Sequence, residues 1–295
     1  LGNTNILASG DIAGRVEIRT DSRISFTSLD VEVRGTTNPT NNDTDEAPAG
    51  IFLGATGGTI EAGSMSLGTD GSIGLYAQGS GGVIIGETAQ LQAGDQIDIR
   101  HDLRGANAAP TLETTDDLLI VAGTSISGAP GSLLAAGGTL SPTVTGPTGT
   151  IGVDRLAGND IALSSLGATS VEHAEAVNDF TAAAGSFRTG LNSIITGGDI
   201  SITSPGAVDL GNSTAGGFVQ VQGQSIAFNA ITAGLSVGLS ADGTAAGAEG
   251  ISGGAIAAGD DINLFANSIA LTGNVTGAAS FFAFGTGGAV AVNEA

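Results

Sequence analysis

The sequence predicts an all-β chain wound as a parallel β-helix, a solenoid of about 20 residues per coil with a few extruded loops. Three observations carry that reading. Short apolar strands recur along the 295 residues at near-constant spacing, and 50 glycines punctuate them. Within each strand apolar and polar side chains alternate, as a strand with one buried face requires.

Taken in order, the strands read 24–26 (ISF), 51–53 (IFL), 73–75 (IGL), 97–99 (IDI) and 118–120 (LLI). They continue at 161–163, 200–202, 218–221, 237–239, 262–264 and 281–284. Steps after residue 73 run about 18 to 25 residues, the span of one solenoid coil, apart from 118 to 161 and 161 to 200, which are about twice that. A second series at 208–210, 226–228, 269–271 and 290–292 follows the first by seven to nine residues, so each coil holds two or three strands. None of these strands can bury its face alone; stacking on the coils above and below makes a continuous core.

Corners follow a common chemistry. Gly-Asp or a close variant introduces the strands at 10–12, 94–97, 158–161, 198–200 and 259–262. Glycine supplies positive φ at a sharp corner, and Asp or Asn bonds its own backbone two residues on. An antiparallel sandwich would favour two-residue Asn-Gly or Asp-Gly hairpins, and only 70–71 and 242–243 provide them. The chain is read as a single β-helix rod over 1–295, with loop insertions at about 36–50, 129–149 and 241–254. The first is polar and acidic. The second holds Pro130, Pro142 and Pro147, which a central strand excludes. Residues 171–184 fit either a short helix or a coil continued through Phe180.

Composition removes whole classes of function. All eight basic residues are Arg, against 29 Asp and Glu, for a net charge of −21. Phosphate backbones repel such a surface, so nucleic acid is excluded as a partner. Without Lys there is no Walker A loop and no Schiff-base chemistry. Without Cys there are no disulfides or thiolate sites. At 41% hydrophobic the chain can bury a core, yet no run of 18 apolar residues spans a membrane. No charged and apolar leader opens it, and it starts at Leu1, so it reads as a processed or excised piece of something longer.

The strings GGDISITS (197–204), AGDDINL (258–264), AGDQIDI (93–99), NSIALTG (267–273) and GQSIAF (223–228) resemble repeats of the filamentous haemagglutinin type. Those are large secreted adhesins of Gram-negative bacteria, exported through an outer-membrane partner. The similarity covers most of the chain from about residue 90. It implies a right-handed β-helix, a secreted or cell-surface location and an adhesive or structural role. The implied partners are other copies of the chain, the rest of a longer protein, glycans or neighbouring cell surfaces. The Asn-Pro secretion motifs of that family's N-terminal domain are not evident, so the piece resembles the shaft. Absence of Cys suits passage through an oxidising periplasm.

Candidate sites are few. Asp43, Asp45 and Glu46 have alternating oxygens that suit Ca²⁺, without EF-hand spacing, and otherwise read as a solvated loop. No other cofactor is implied. Asp95, Asp199 and Asp260 form either a cation ladder or, on the plainer reading, a set of turn-formers. Residues 100–104 (RHDLR), with Asp95, Asp98, Asp116 and Asp117 nearby, are the one cluster of acid, base and cation. A polysaccharide hydrolase or lyase would draw on that cluster, Asp102 above all. The preferred reading assigns no catalytic residue. Gly250, Ser252 and Gly254 match GxSxG without an elbow context, and His173 reads as a surface residue beside Glu172 and Glu175. Phe281, Phe282 and Phe284 are the densest aromatic run and the candidates for self-association. Two are expected in the core and one under a loop, with Phe282 opposite the other two.

Overall fold

The computed structural model describes residues 3–9, 15–20, 22–34, 50–56, 59–78, 82–85, 89–94, 96–101, 111–128, 130–191, 194–242, 250–277 and 279–292. Among them every regular element is a strand, no helix occurs, and neighbouring strands run parallel. Coils of about 21 residues stack as a β-solenoid. Two compact units divide the chain, Leu1–Gly158 and Asn159–Ala295.

In the second unit each coil carries three strand segments. One face stacks Asp160–Ser165, Phe180–Ala183, Ile200–Thr203, Val219–Gly223, Val237–Ala241, Ile262–Ala266 and Phe281–Gly285. Ile161, Phe180, Ile200, Val219, Val237, Ile262 and Phe281 align in that stack, at steps of 19, 20, 19, 18, 25 and 19 residues. All but the last are buried. Alternation sends them inward, and each such side chain contributes about 1.5–3 kcal/mol by leaving water. Phe180 meets Phe187 edge-on inside the coil, with ring centroids 6.0 Å apart.

The other two faces share long strands. Ala207–Ala215, Ser225–Ala233 and Gly250–Ala258 each serve both. Val208, Ile226 and Ile251 stack in the first half, and Ser213, Ile231 and Ile256 in the second. The ladder skips Gly211, Asn229 and Gly254, where each strand turns the corner. The alternatives left open at 171–184 resolve as strands Ala168–Ala176 and Phe180–Ala183.

The first unit repeats the plan with longer steps. Ile24, Ile60, Val83, Leu112, Leu134 and Leu156 align at steps of 36, 23, 29, 22 and 22. Leu29, Met65, Ala89, Leu118 and Leu140 form a second stack. Val16, Ile51, Ile73, Ile97, Ile126 and Ile151 form the third.

The expected loops change. Residues 129–149 hold the strands Leu133–Ala136 and Thr139–Val144, so they are not one loop. Pro142 sits inside the latter, buried. The Thr145 N–H donates to Ala122 C=O at 3.0 Å. Backbone groups alternate sides along a strand, so positions 141, 143 and 145 face Leu118–Ala122 and the Pro142 nitrogen faces away from that ladder. Pro130 and Pro147 lie in turns, as their chemistry demands. Residues 35–49 lie outside the described residues, and Gly50 opens the strand Gly50–Thr56. Ala241 ends one strand and Gly250 begins the next, so the third insertion narrows; its central residues, 243–249, lie outside the described residues.

Candidate functional site

The acidic corner of the second unit forms from one Gly-Asp pair, Gly198-Asp199, and two Asn-Asp pairs, Asn159-Asp160 and Asn178-Asp179. Asp160, Asp179 and Asp199 each precede the first inward residue of a coil. Asp179 Oδ1 accepts the backbone N–H of Asp199 at 2.8 Å, and Asp199 Oδ1 accepts that of Phe218 at 2.7 Å. Asp160 Oδ1 accepts the N–H of Asp179 at 3.3 Å. Each carboxylate thus caps the coil stacked on it. A glycine before two of the three capped N–H groups makes room: a Cβ on Gly198 would fall 2.2 Å from Asp179 Oδ1, and one on Gly217 would fall 2.0 Å from Asp199 Oδ1. The expected reason for these glycines was positive φ, yet among the described glycines only Gly50 and Gly131 have it. Close approach between coils is the cause here.

In the first unit Asp117 does the same for Thr139, at 2.7 Å, with Gly138 leaving the space. Asp199 is therefore a turn-former acting between coils. Asp260 is exposed and its N–H bonds Leu235 C=O; the corner position falls to Asp261, whose Oδ1 accepts the Ser280 hydroxyl at 2.7 Å. Asp95 lies outside the described residues. So do Asp43, Asp45 and Glu46, and Asp102 to Arg104 of the mixed cluster; Arg100 and His101 close the strand Gln96–His101. Among the described residues no group of three or more His, Asp or Glu side chains is gathered as a metal ion would need. Ser252 lies exposed within a strand rather than at a strand–helix elbow. His173 Nε2 pairs with Glu175 Oε1 at 2.7 Å at the surface.

The phenylalanine run departs from expectation. Phe281, Phe282 and Phe284 are 44%, 48% and 50% exposed, so none is core. A period of two places Phe282 and Phe284 on one side and Phe281 on the other, and the register agrees: Phe281 follows buried Ile262, whereas Phe282 and Phe284 follow outward Asn263 and Phe265. Phe265, Phe282 and Phe284 make one outward aromatic cluster. Phe265 and Phe282 are 5.5 Å apart between centroids, and the Phe282 and Phe284 rings lie within 5° of parallel at 6.4 Å.

A feature that sequence reasoning missed lies on the first unit. Strand Arg23–Arg34 presents Asp30 and Glu32 outward, Thr59–Thr69 presents Ser66 and Gly68, and Ala89–Ala93 presents Gln90 and Gln92. The register sets Asp30, Ser66 and Gln90 in one row and Glu32, Gly68 and Gln92 in the next. Neighbours in a row are ~4.8 Å apart, and the rows are ~6.7 Å apart along the strands. Two contiguous depressions of about 430 and 230 Å³ follow these rows and share Glu32, Gly68 and Gln92. The larger runs on past Asp70 and Gly94 to Thr145, so the trough crosses several coils. Its local signal was the alternation in LDVEV (29–33) and AQLQA (89–93). The pairing between those segments had none.

No protein-family model, curated protein or solved structure matches this chain.

Proposed function

We propose that this chain is a structural and adhesive module of a secreted or surface-exposed Gram-negative protein, and that copies associate into extracellular filaments or matrix fibres. The observation that carries the reading is the aromatic cluster Phe265, Phe282 and Phe284, displayed outward, whereas the edge-on pair Phe180 and Phe187 is buried. An apolar patch of this kind on a strongly anionic surface marks a contact with another protein surface. The resemblance of the 93–99, 197–204 and 258–264 strings to filamentous haemagglutinin repeats supports the location and the adhesive role.

Electron microscopy of the purified chain over a concentration series tests this. Fibres are expected from the natural chain and single particles from Phe282→Ser combined with Phe284→Ser. Fibres that survive that double change, or no fibres at any concentration, would remove self-assembly.

One observation favours a second reading, a β-helix polysaccharide hydrolase or lyase. Asp30 and Glu32 lie two residues apart on the outward face of a single strand, where two carboxylates could act on one bond. Reducing or unsaturated ends released from a polysaccharide, and lost on Asp30→Asn or Glu32→Gln, would establish it.

A further inference from the structure

We infer that the trough over Asp30, Glu32, Ser66, Gly68, Gln90 and Gln92 is a binding site for a neutral linear polysaccharide, the surface through which the adhesive role proposed above would act. The inference rests on that reading for its biological setting, and on the trough itself for its chemistry.

The lining is matched to hydroxyl groups. Each glutamine carboxamide offers two donors and an acceptor on one rigid plane, and each carboxylate offers acceptors only. Neighbouring hydroxyls on a sugar ring both donate and accept, so carboxylates on one strand and carboxamides two strands away satisfy them without a net charge on the ligand. The charge excludes the opposite class: Asp30, Glu32 and Asp70 line the depressions and, among the described residues, no Arg or His does, so a polyanionic glycan would be repelled.

Dimension agrees with chemistry. The combined depression is elongated across the strands and falls in the size range of ligand sites. Successive positions within a row fall at the inter-strand spacing, ~4.8 Å, which is comparable to the advance of one pyranose unit along an extended glycan. The chain of a polysaccharide lying across the coils would therefore meet the pair Asp30 and Glu32, then Ser66 and Gly68, then Gln90 and Gln92, one pair at each sugar. Gly68 keeps the middle of the floor bare. A Cβ built there meets only Glu32 Cγ, at 4.0 Å, so a larger side chain fits the backbone and would fill the trough instead of breaking the coil.

Native electrophoresis of the full chain through gels containing a soluble neutral β-glucan, or polygalacturonate at equal mass, tests the site. Retardation by the glucan and none by polygalacturonate is expected. Gln90→Ala with Gln92→Ala should weaken retardation about tenfold, the loss expected when two hydrogen-bonding side chains are removed. Gly68→Leu should abolish it, with strand content by circular dichroism unchanged. Glucan retardation that is absent, or unaltered by both variants, would overturn the site, as would retardation by polygalacturonate. Fibres on the electron-microscope grid from a chain that no glucan retards would overturn the trough alone. Glucan retardation by a chain that forms no fibres would do the converse.

Discussion

Residues 159–295 and residues 1–158 use the same coil, three short parallel segments around an aliphatic interior, but wind it with different regularity. Along one face of the second region, five of six steps are 18 to 20 residues; along one stack of the first, no step is shorter than 22. A constant step brings equivalent corner residues into axial columns. Gly197, Gly216, Gly234 and Gly259 form such a column, each packed so that a Cβ would sit 2.0–2.2 Å from a carbonyl oxygen of the coil below. Asp160, Asp179 and Asp199 form another. In the first region corner lengths vary, and tight approaches occur as separate pairs, such as Gly94 on Asp70 and Gly137 on Thr115. There the uneven corners flank the trough. Regular winding makes self-consistent columns, and irregular winding makes relief on the surface.

The largest expected effect tests the tightness of the regular region. Phe180→Ala removes a fully buried ring stacked between Ile161 and Ile200 and should cost about 3–5 kcal/mol. Ile60→Ala in the first region should cost about 2–4 kcal/mol by the same mechanism. Urea midpoints for the two variants decide the matter, and a greater loss for Ile60→Ala would reverse the ranking of the two regions.

Column glycines come next. Gly216→Ala places a methyl 2.1 Å from the Gly197 carbonyl oxygen and should cost about 1–3 kcal/mol, since the backbone must shift to accept it. Gly238 lies in the same region with nothing within 4 Å of the added methyl. Gly238→Ala should be neutral or stabilising by up to about 1 kcal/mol. Equal losses in thermal unfolding at the two sites would show that close approach is not what the column glycines serve.

Asp199→Ala should cost about 1 kcal/mol through the lost cap on Phe218 N–H, whereas Asp199→Asn, which keeps an acceptor, should recover most of it. Hydrogen exchange at the Phe218 amide reads this locally; unchanged protection in the alanine variant would count against the cap. The smallest effect has the opposite sign. Ser213 is buried between Ile194 and Ile231, and its Oγ has no hydrogen-bond partner. Ser213→Ala should therefore stabilise by about 1 kcal/mol. A loss on calorimetry would mean the hydroxyl is satisfied in solution.

Legibility in the sequence follows the same division. In the second region the strands at 161, 200, 219, 237 and 262 all fall in one stack, because the alternating Ile, Val and Leu positions recur at a nearly constant step. The third face escaped notice: its segments, such as 212–215 (NSTA) and 255–258 (AIAA), are too small or polar to stand out from turns. In the first region the strands at 24, 51 and 118 belong to three different stacks, which an approximate period runs together. Pro142 reads as a loop residue because local propensity disfavours it in a ladder, yet its strand Thr139–Val144 pairs with Leu118–Ala122 along its length. Phe282 and Phe284 share the outward side, as a strand's period of two requires and the register on Asn263 and Phe265 shows.

What the sequence by itself determined is the strand class, the inward and outward alternation, the coil length of residues 159–295 and the Gly-Asp corners. Those properties are encoded within a few neighbouring residues. Tertiary structure alone decided which segment of residues 1–158 stacks on which, why Gly198 must lack a side chain, and that Glu32, Gly68 and Gln92 share one trough. Register between coils depends on the length each corner spans before the chain returns. No single segment carries that length; it is settled only when successive coils close on one another.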